Sequence, residues 1–173
     1  MKLFPDTAAV EHGHLVVGGV PASALADEHG TPLLVFCEET IRARARAYRE
    51  AAPDALVVYG TKAFPNVSVM RLLGEEGLGA DVSTLGELRF AQRAGIGGEA
   101  LVVHGNNKDD AELAEAGAEG ALVVLDALDE FGRAAAAGVR RTSPSRPRSP
   151  ISCGSCSRRW DARGRSTTFR GLG

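Results

Sequence analysis

LVVYGTKAFPNVSVMRLLGEEGLGADVSTLGELRFAQRAG, residues 56–95, is the stretch on which the fold turns. It opens with an apolar run, LVVYG, and passes through a Phe-Pro-Asn turn. A helix-like segment follows at 66–77, closed by glycine. A second short strand, GADVS, occupies 79–83. A second helix is expected over 84–95, with Thr84 as cap, Glu87 three residues later and Gly95 at its end. Strand, helix, strand, helix in forty residues predicts parallel β/α units.

The same alternation extends in both directions. Upstream, LLVFC (33–37) reads as a buried strand and 38–52 as a helix rich in Arg, Ala and Glu. Downstream, strands are expected over 100–105 and 120–126, with helices over 108–117 and 127–138. The period is supersecondary, because the units share no internal sequence. Thr84 and Glu87 read as a helix start, and so do Lys108 and Asp109. Cys37 reads as a small buried hydrophobe.

Composition is that of an ordinary globular chain: of 173 residues, 44% are apolar and 24% charged. No apolar run approaches the length of a membrane span. The N-terminal MKLFPDTAAVEHGH lacks the apolar stretch of a signal peptide. Three cysteines are too few for a disulfide framework. A cytoplasmic location is expected.

Charge divides the chain. Residues 1–139 hold 11 basic and 21 acidic residues, whereas 140–173 hold nine arginines and one acid, Asp161. The second segment is built of Arg, Ser, Pro and Gly and has no apolar period. Three readings apply: a disordered basic tail, a nucleic-acid-binding arm, or a shifted reading frame in a GC-rich gene. The third is preferred, because the break falls where the next strand is due. Nucleic acid is not expected as a partner. CGSC (153–156) has metal and redox readings, but no second ligand pair lies nearby and no helix start is expected there.

Three polar residues fall at the same end of successive strands. Lys62 lies two residues past LVVYG, Asp81 lies in the last turn of GADVS, and His104 ends ALVVH. In a β/α barrel the site is built at the C-terminal strand ends. An amine buried there loses its proton readily and becomes a nucleophile for carbonyl groups. From spacing alone, a solvated loop lysine is an equally open reading, and His104 is open as a packing residue.

The wording of the motifs carries more. YGTKA (59–63), DVSTLGEL (81–88), VVHGNNKDDAEL (102–113) and VVLDALDEF (123–131) resemble, in order and spacing, the fold-type III pyridoxal-phosphate decarboxylases. They look most like the diaminopimelate decarboxylase branch, with HGNNK as the closest match. Residues 22–48 resemble that family's lead-in, a GTP-containing strand and a helix. The likeness spans about 15–139 and implies part of a (β/α)8 barrel of the alanine-racemase type, with about four of eight strands. Together with the charge and composition break it divides the chain into two segments of unlike kind, a barrel portion at 1–139 and the tail at 140–173.

The resemblance also implies roles. Lys62 would carry pyridoxal 5′-phosphate as a Schiff base, and Asp81 and His104 would lie beside the cofactor. His104 is not the family's ring-stacking histidine, which belongs to a later strand. The implied reaction is that of a carboxy-lyase converting meso-diaminopimelate to L-lysine and carbon dioxide. The partners implied are a small amino-acid substrate and, for the full-length enzyme, a second identical subunit. Alternatives are another basic amino acid as substrate, or a non-catalytic pyridoxal-phosphate-binding protein. The later strands, the phosphate loop, the glutamate facing the pyridine nitrogen and the β-domain find no counterpart here. The 173-residue chain alone is therefore expected to turn over little or no substrate.

Overall fold

The structure is a computed structural model and describes residues 4–139, 158–160 and 166–168. These fall into two units, one within Met1–Thr142 and one within Ser143–Gly173. The CGSC stretch lies outside the described residues. The second unit contains an antiparallel pair of strands, Arg158–Trp160 and Ser166–Thr168, which the sequence reading did not anticipate.

The first unit starts with an antiparallel meander of β1 (Ala9–Glu11), β2 (His14–Val17) and β3 (Val20–Pro21), followed by α1 (Ala22–His29). The β1–β2 turn is His12–Gly13, both at positive φ, the geometry that matches the twist of paired strands. This meander was also not read from the sequence.

The β/α series then runs as expected. It comprises α2 (Glu38–Ala51), β4 (Val58–Gly60), α3 (Val67–Glu75), β5 (Gly79–Val82), α4 (Leu85–Arg93), β6 (Leu101–Val103), α5 (Asp110–Glu119), β7 (Leu122–Val123) and α6 (Glu130–Ala136). The four strands form one parallel sheet in the order β4-β5-β6-β7. β7 is shorter than the expected 120–126. Among the described residues β4 and β7 each pair on one side only.

Local chemistry explains the helix starts. The Asn66 side chain accepts from the amides of Ser68 and Val69 at 3.0 and 3.2 Å. Thr84 accepts from the Glu87 amide at 3.2 Å, while Glu87 accepts from the Ser83 amide at 2.7 Å. Asp109 and Glu112 form a reciprocal capping box. One face of the sheet packs against the helices: Ala80, Val82, Leu101 and Val103 are buried with Met70, Leu88, Ala91 and Ala116. Gly79 is required by this packing, since a Cβ there would lie 2.1 Å from the Ala100 carbonyl oxygen.

The expected strand at 33–37, and with it the GTP-containing lead-in strand, is not formed. Leu33, Leu34, Val35 and Phe36 are exposed, Leu34 at 83%. An apolar run becomes a strand only where a neighbour can take its amides and carbonyls, and this run has none in the first unit's sheets. Phe36 instead stacks on Phe64, with ring centroids 5.1 Å apart. Cys37 is buried, as expected. Hydrogen bonds between its sulfur and the hydroxyls of Thr40 and Thr7 hold its thiol below the ordinary range.

Candidate active site

The residues that end β4, β5 and β6 converge at one end of the sheet. Across the ladder, Gly60 is paired with Asp81, and Asp81 with Val102. Side chains alternate along a strand. Ala80 and Val82 therefore go to the helix-packed face and Asp81 to the opposite one. Gly60 has no side chain to crowd its neighbour.

Lys62 occupies a 3-10 turn, Thr61–Ala63, immediately after β4. Thr61 is fully buried and its hydroxyl donates to the Asp81 carbonyl at 2.9 Å, which pins the turn to β5. The turn makes no demand on the lysine itself. Lys62 is exposed, and among the described residues it forms no hydrogen bond or ion pair. Of the two readings that the spacing left open, a buried amine and an exposed loop lysine, the structure has the second. The burial belongs to Thr61, and the lysine beside it is exposed.

Asp81 is half-buried, and its Oδ1 is buried without a hydrogen-bond partner. His104 Nδ1 stands 3.7 Å from that oxygen, beyond hydrogen-bond reach. The His104 amide is fixed by the Val82 carbonyl at 2.8 Å. A buried carboxylate oxygen with no donor is costly. With the imidazole 3.7 Å away and the unpaired Lys62 amine on the turn after the neighbouring strand, it forms a set suited to a carbonyl compound that also brings a hydrogen-bond donor. No cluster of three metal-ligating side chains occurs among the described residues.

Lys108 was read as a helix opener, and it holds more. Its side chain is almost fully buried, donates to the Gly105 carbonyl, and pairs with buried Glu130 at 3.1 Å. Burial pushes the Glu130 carboxyl up, but the Asp126 amide and the Lys108 ammonium outweigh it and hold the group below its ordinary range. A lysine followed by two aspartates looks solvated in sequence, and its partner lies 22 residues away. No local signal could have found the pair.

A cavity of about 610 Å³ lies elsewhere, between α2, α3 and β4, lined by Phe36, Ile41, Tyr48, Val57, Phe64 and Leu73 among others. It is apolar and contains none of the three strand-end residues.

The sequence profile of the pyridoxal-dependent decarboxylases, pyridoxal binding domain, matches residues 38–138. The chain is 45% identical over 130 residues to the diaminopimelate decarboxylase of Actinosynnema pretiosum subsp. auranticum, covering 75% of this chain and 30% of that protein. It is 44% identical over 117 residues to the Bacillus subtilis enzyme of the same name, covering 65% and 27%. Among solved structures, AQ1208 from Aquifex aeolicus superposes with a TM-score of 0.72 at 37% identity, over 76% of this chain and 33% of that one. Diaminopimelate decarboxylase from M. jannaschii in co-complex with L-lysine gives 0.65 at 30% identity, over 76% and 32%. Lysine/ornithine decarboxylase from Vibrio vulnificus complexed with putrescine gives 0.59 at 30%, over 64% and 31%. The chain thus spans about 30% of the length of the curated relatives it matches.

Proposed function

Because this chain belongs to the pyridoxal-dependent decarboxylases through their pyridoxal binding domain, we propose that Lys62 holds pyridoxal phosphate. We propose further that the chain is the lysine-bearing part of an enzyme that decarboxylates meso-diaminopimelate to L-lysine. The observation that carries this reading is the convergence at one sheet end of an unpaired Lys62, the partnerless Asp81 Oδ1 and His104.

These residues fit the cofactor. The Lys62 amine is free to react with an aldehyde, and Asp81 Oδ1 is free to accept a hydrogen bond. When bound, pyridoxal phosphate supplies an electron sink for the pair left on the substrate carbon as carbon dioxide departs. The protein's own groups do the rest. The Thr61 hydroxyl holds the Lys62 turn against β5. Asp81 presents a buried carboxylate oxygen with no donor at the same sheet end. His104 lies close enough to Asp81 to share that carboxylate after a small ring rotation.

The test uses the chain as it is. Pyridoxal phosphate is added, the adduct is reduced with borohydride, and peptides are mapped. The chain has three lysines, Lys2, Lys62 and Lys108, of which Lys108 is buried. Label concentrated on Lys62 and lost in Lys62→Ala is expected. Label elsewhere, or label unchanged by that substitution, refutes the assignment. Substrate choice is read in the same experiment: meso-diaminopimelate added before reduction should remove label from Lys62 at lower concentration than ornithine does. The likeness to the V. vulnificus enzyme favours a second reading, another basic amino acid, and the opposite order of displacement would support it.

Three companion readings go with this one. The barrel portion ends near residue 139 and 140–173 derives from a shifted frame, which the composition break supports and the DNA sequence read in three frames tests. The whole enzyme is a homodimer, a matter for light scattering. It is cytoplasmic, a matter for cell fractionation; among the described residues no helix is long and apolar enough to cross a membrane.

A further inference from the structure

We infer that Lys108 and Glu130 are positioning residues for the strand-end site, clamping together the loops that follow β6 and β7. The inference rests on the reading of Lys62, Asp81 and His104 as that site.

The two side chains are 1% and 3% exposed. The Lys108 ammonium donates to the carbonyl of Gly105, the residue next to His104, and pairs with Glu130 Oε1 at 3.1 Å. Glu130 Oε2 accepts from the amide of Asp126, three residues past β7, at 2.8 Å. Arg133 ties the outer side, donating to the Lys108 carbonyl and to Asp110, each at 2.7 Å. One buried ammonium thus spans two loops that the sheet ladder does not join, because β6 ends at Val103 and β7 at Val123. Gly105 is packed so closely that a Cβ would lie 2.9 Å from the Ser83 carbonyl oxygen. The backbone after His104 is therefore held by the close approach of Ser83 and by the hydrogen bond from Lys108. That fixes where the imidazole stands relative to Asp81.

A buried pair need not exist for stability, since well-packed apolar replacements of similar volume are often as stable. This separates positioning from folding. In Lys108→Met/Glu130→Leu the fold is kept and the clamp is lost. Two signals are read: the His104 ring resonances in the cofactor-free chain, and the pyridoxal phosphate concentration needed to label Lys62. The expected result is a melting point near that of the parent, shifted and broadened His104 resonances, and about tenfold more cofactor for half-labelling, as befits loss of one charge-assisted hydrogen bond. A folded double variant with parental His104 resonances overturns the inference. Should the double variant not fold, Glu130→Gln decides by the same His104 signal, since it keeps the shape while removing the charge and turning one of the two accepting oxygens into a donor. If the parent chain itself does not label at Lys62, the cofactor reading fails, while the His104 resonances still decide the clamp.

Discussion

Lys62 and Asp81 show opposite balances of cost and use. Lys62 is exposed and unpaired, so Lys62→Ala should change folding stability by less than about 0.5 kcal/mol, while abolishing cofactor capture. Asp81 keeps a buried oxygen without a donor, which lowers stability for the sake of the site. Asp81→Asn should leave the urea midpoint unchanged or raised, and should weaken capture at Lys62. A marked fall in the midpoint would mean that Asp81 is structural. Both residues were legible in sequence as strand-end polar positions. Their exposure was not, because it depends on how the turn after β4 leaves the sheet.

Elements behave as their caps and contacts dictate. Thr84 satisfies one amide at the start of α4, so Thr84→Ala should cost about 1 kcal/mol, visible as a lowered denaturation midpoint. Gly79 begins β5 under the Ala100 carbonyl, and a methyl group there has no space. Gly79→Ala should cost about 3 kcal/mol or more and should show as poor folding by circular dichroism. The helix starts at Asn66, Thr84 and Asp109 could be read locally, since a cap acts within four residues. The strand expected at 33–37 could not be judged that way. Its composition suits a strand, but a ladder requires a neighbour.

At the scale of the molecule, two features govern behaviour in solution. The first is acid sensitivity. Arg42 holds the Glu76 carboxyl below its ordinary value of 4.5, with help from Arg46, and Glu130 is likewise depressed. Depressed carboxylates stabilise the fold above the unfolded value, and that contribution disappears as pH falls through the folded values. Urea midpoints should therefore hold steady from about pH 7 to about pH 5 and drop steeply below about pH 4. Arg42→Met should flatten the drop. The second feature is exposed apolar surface. Leu34 and Leu128 are 83% and 89% exposed, and β4 and β7 each present an unpaired edge among the described residues. Such edges recruit other strands. Light scattering should show association that rises with concentration, reduced in Leu34→Asp. A monodisperse chain at high concentration would contradict this.

What the sequence determined by itself is the order of elements from α2 to α6, the helix starts, and the placement of Lys62, Asp81 and His104 at strand ends. These follow from apolar period, capping residues and chain order, all of which act over a few residues. The tertiary structure alone decided that 33–37 forms no strand, that Thr61 rather than Lys62 is buried, that Asp81 Oδ1 lacks a donor, and that Lys108 reaches Glu130 in the interior. Each of these depends on atoms brought together from distant parts of the chain. Burial and ion pairing are properties of neighbours in space, and local sequence does not contain them.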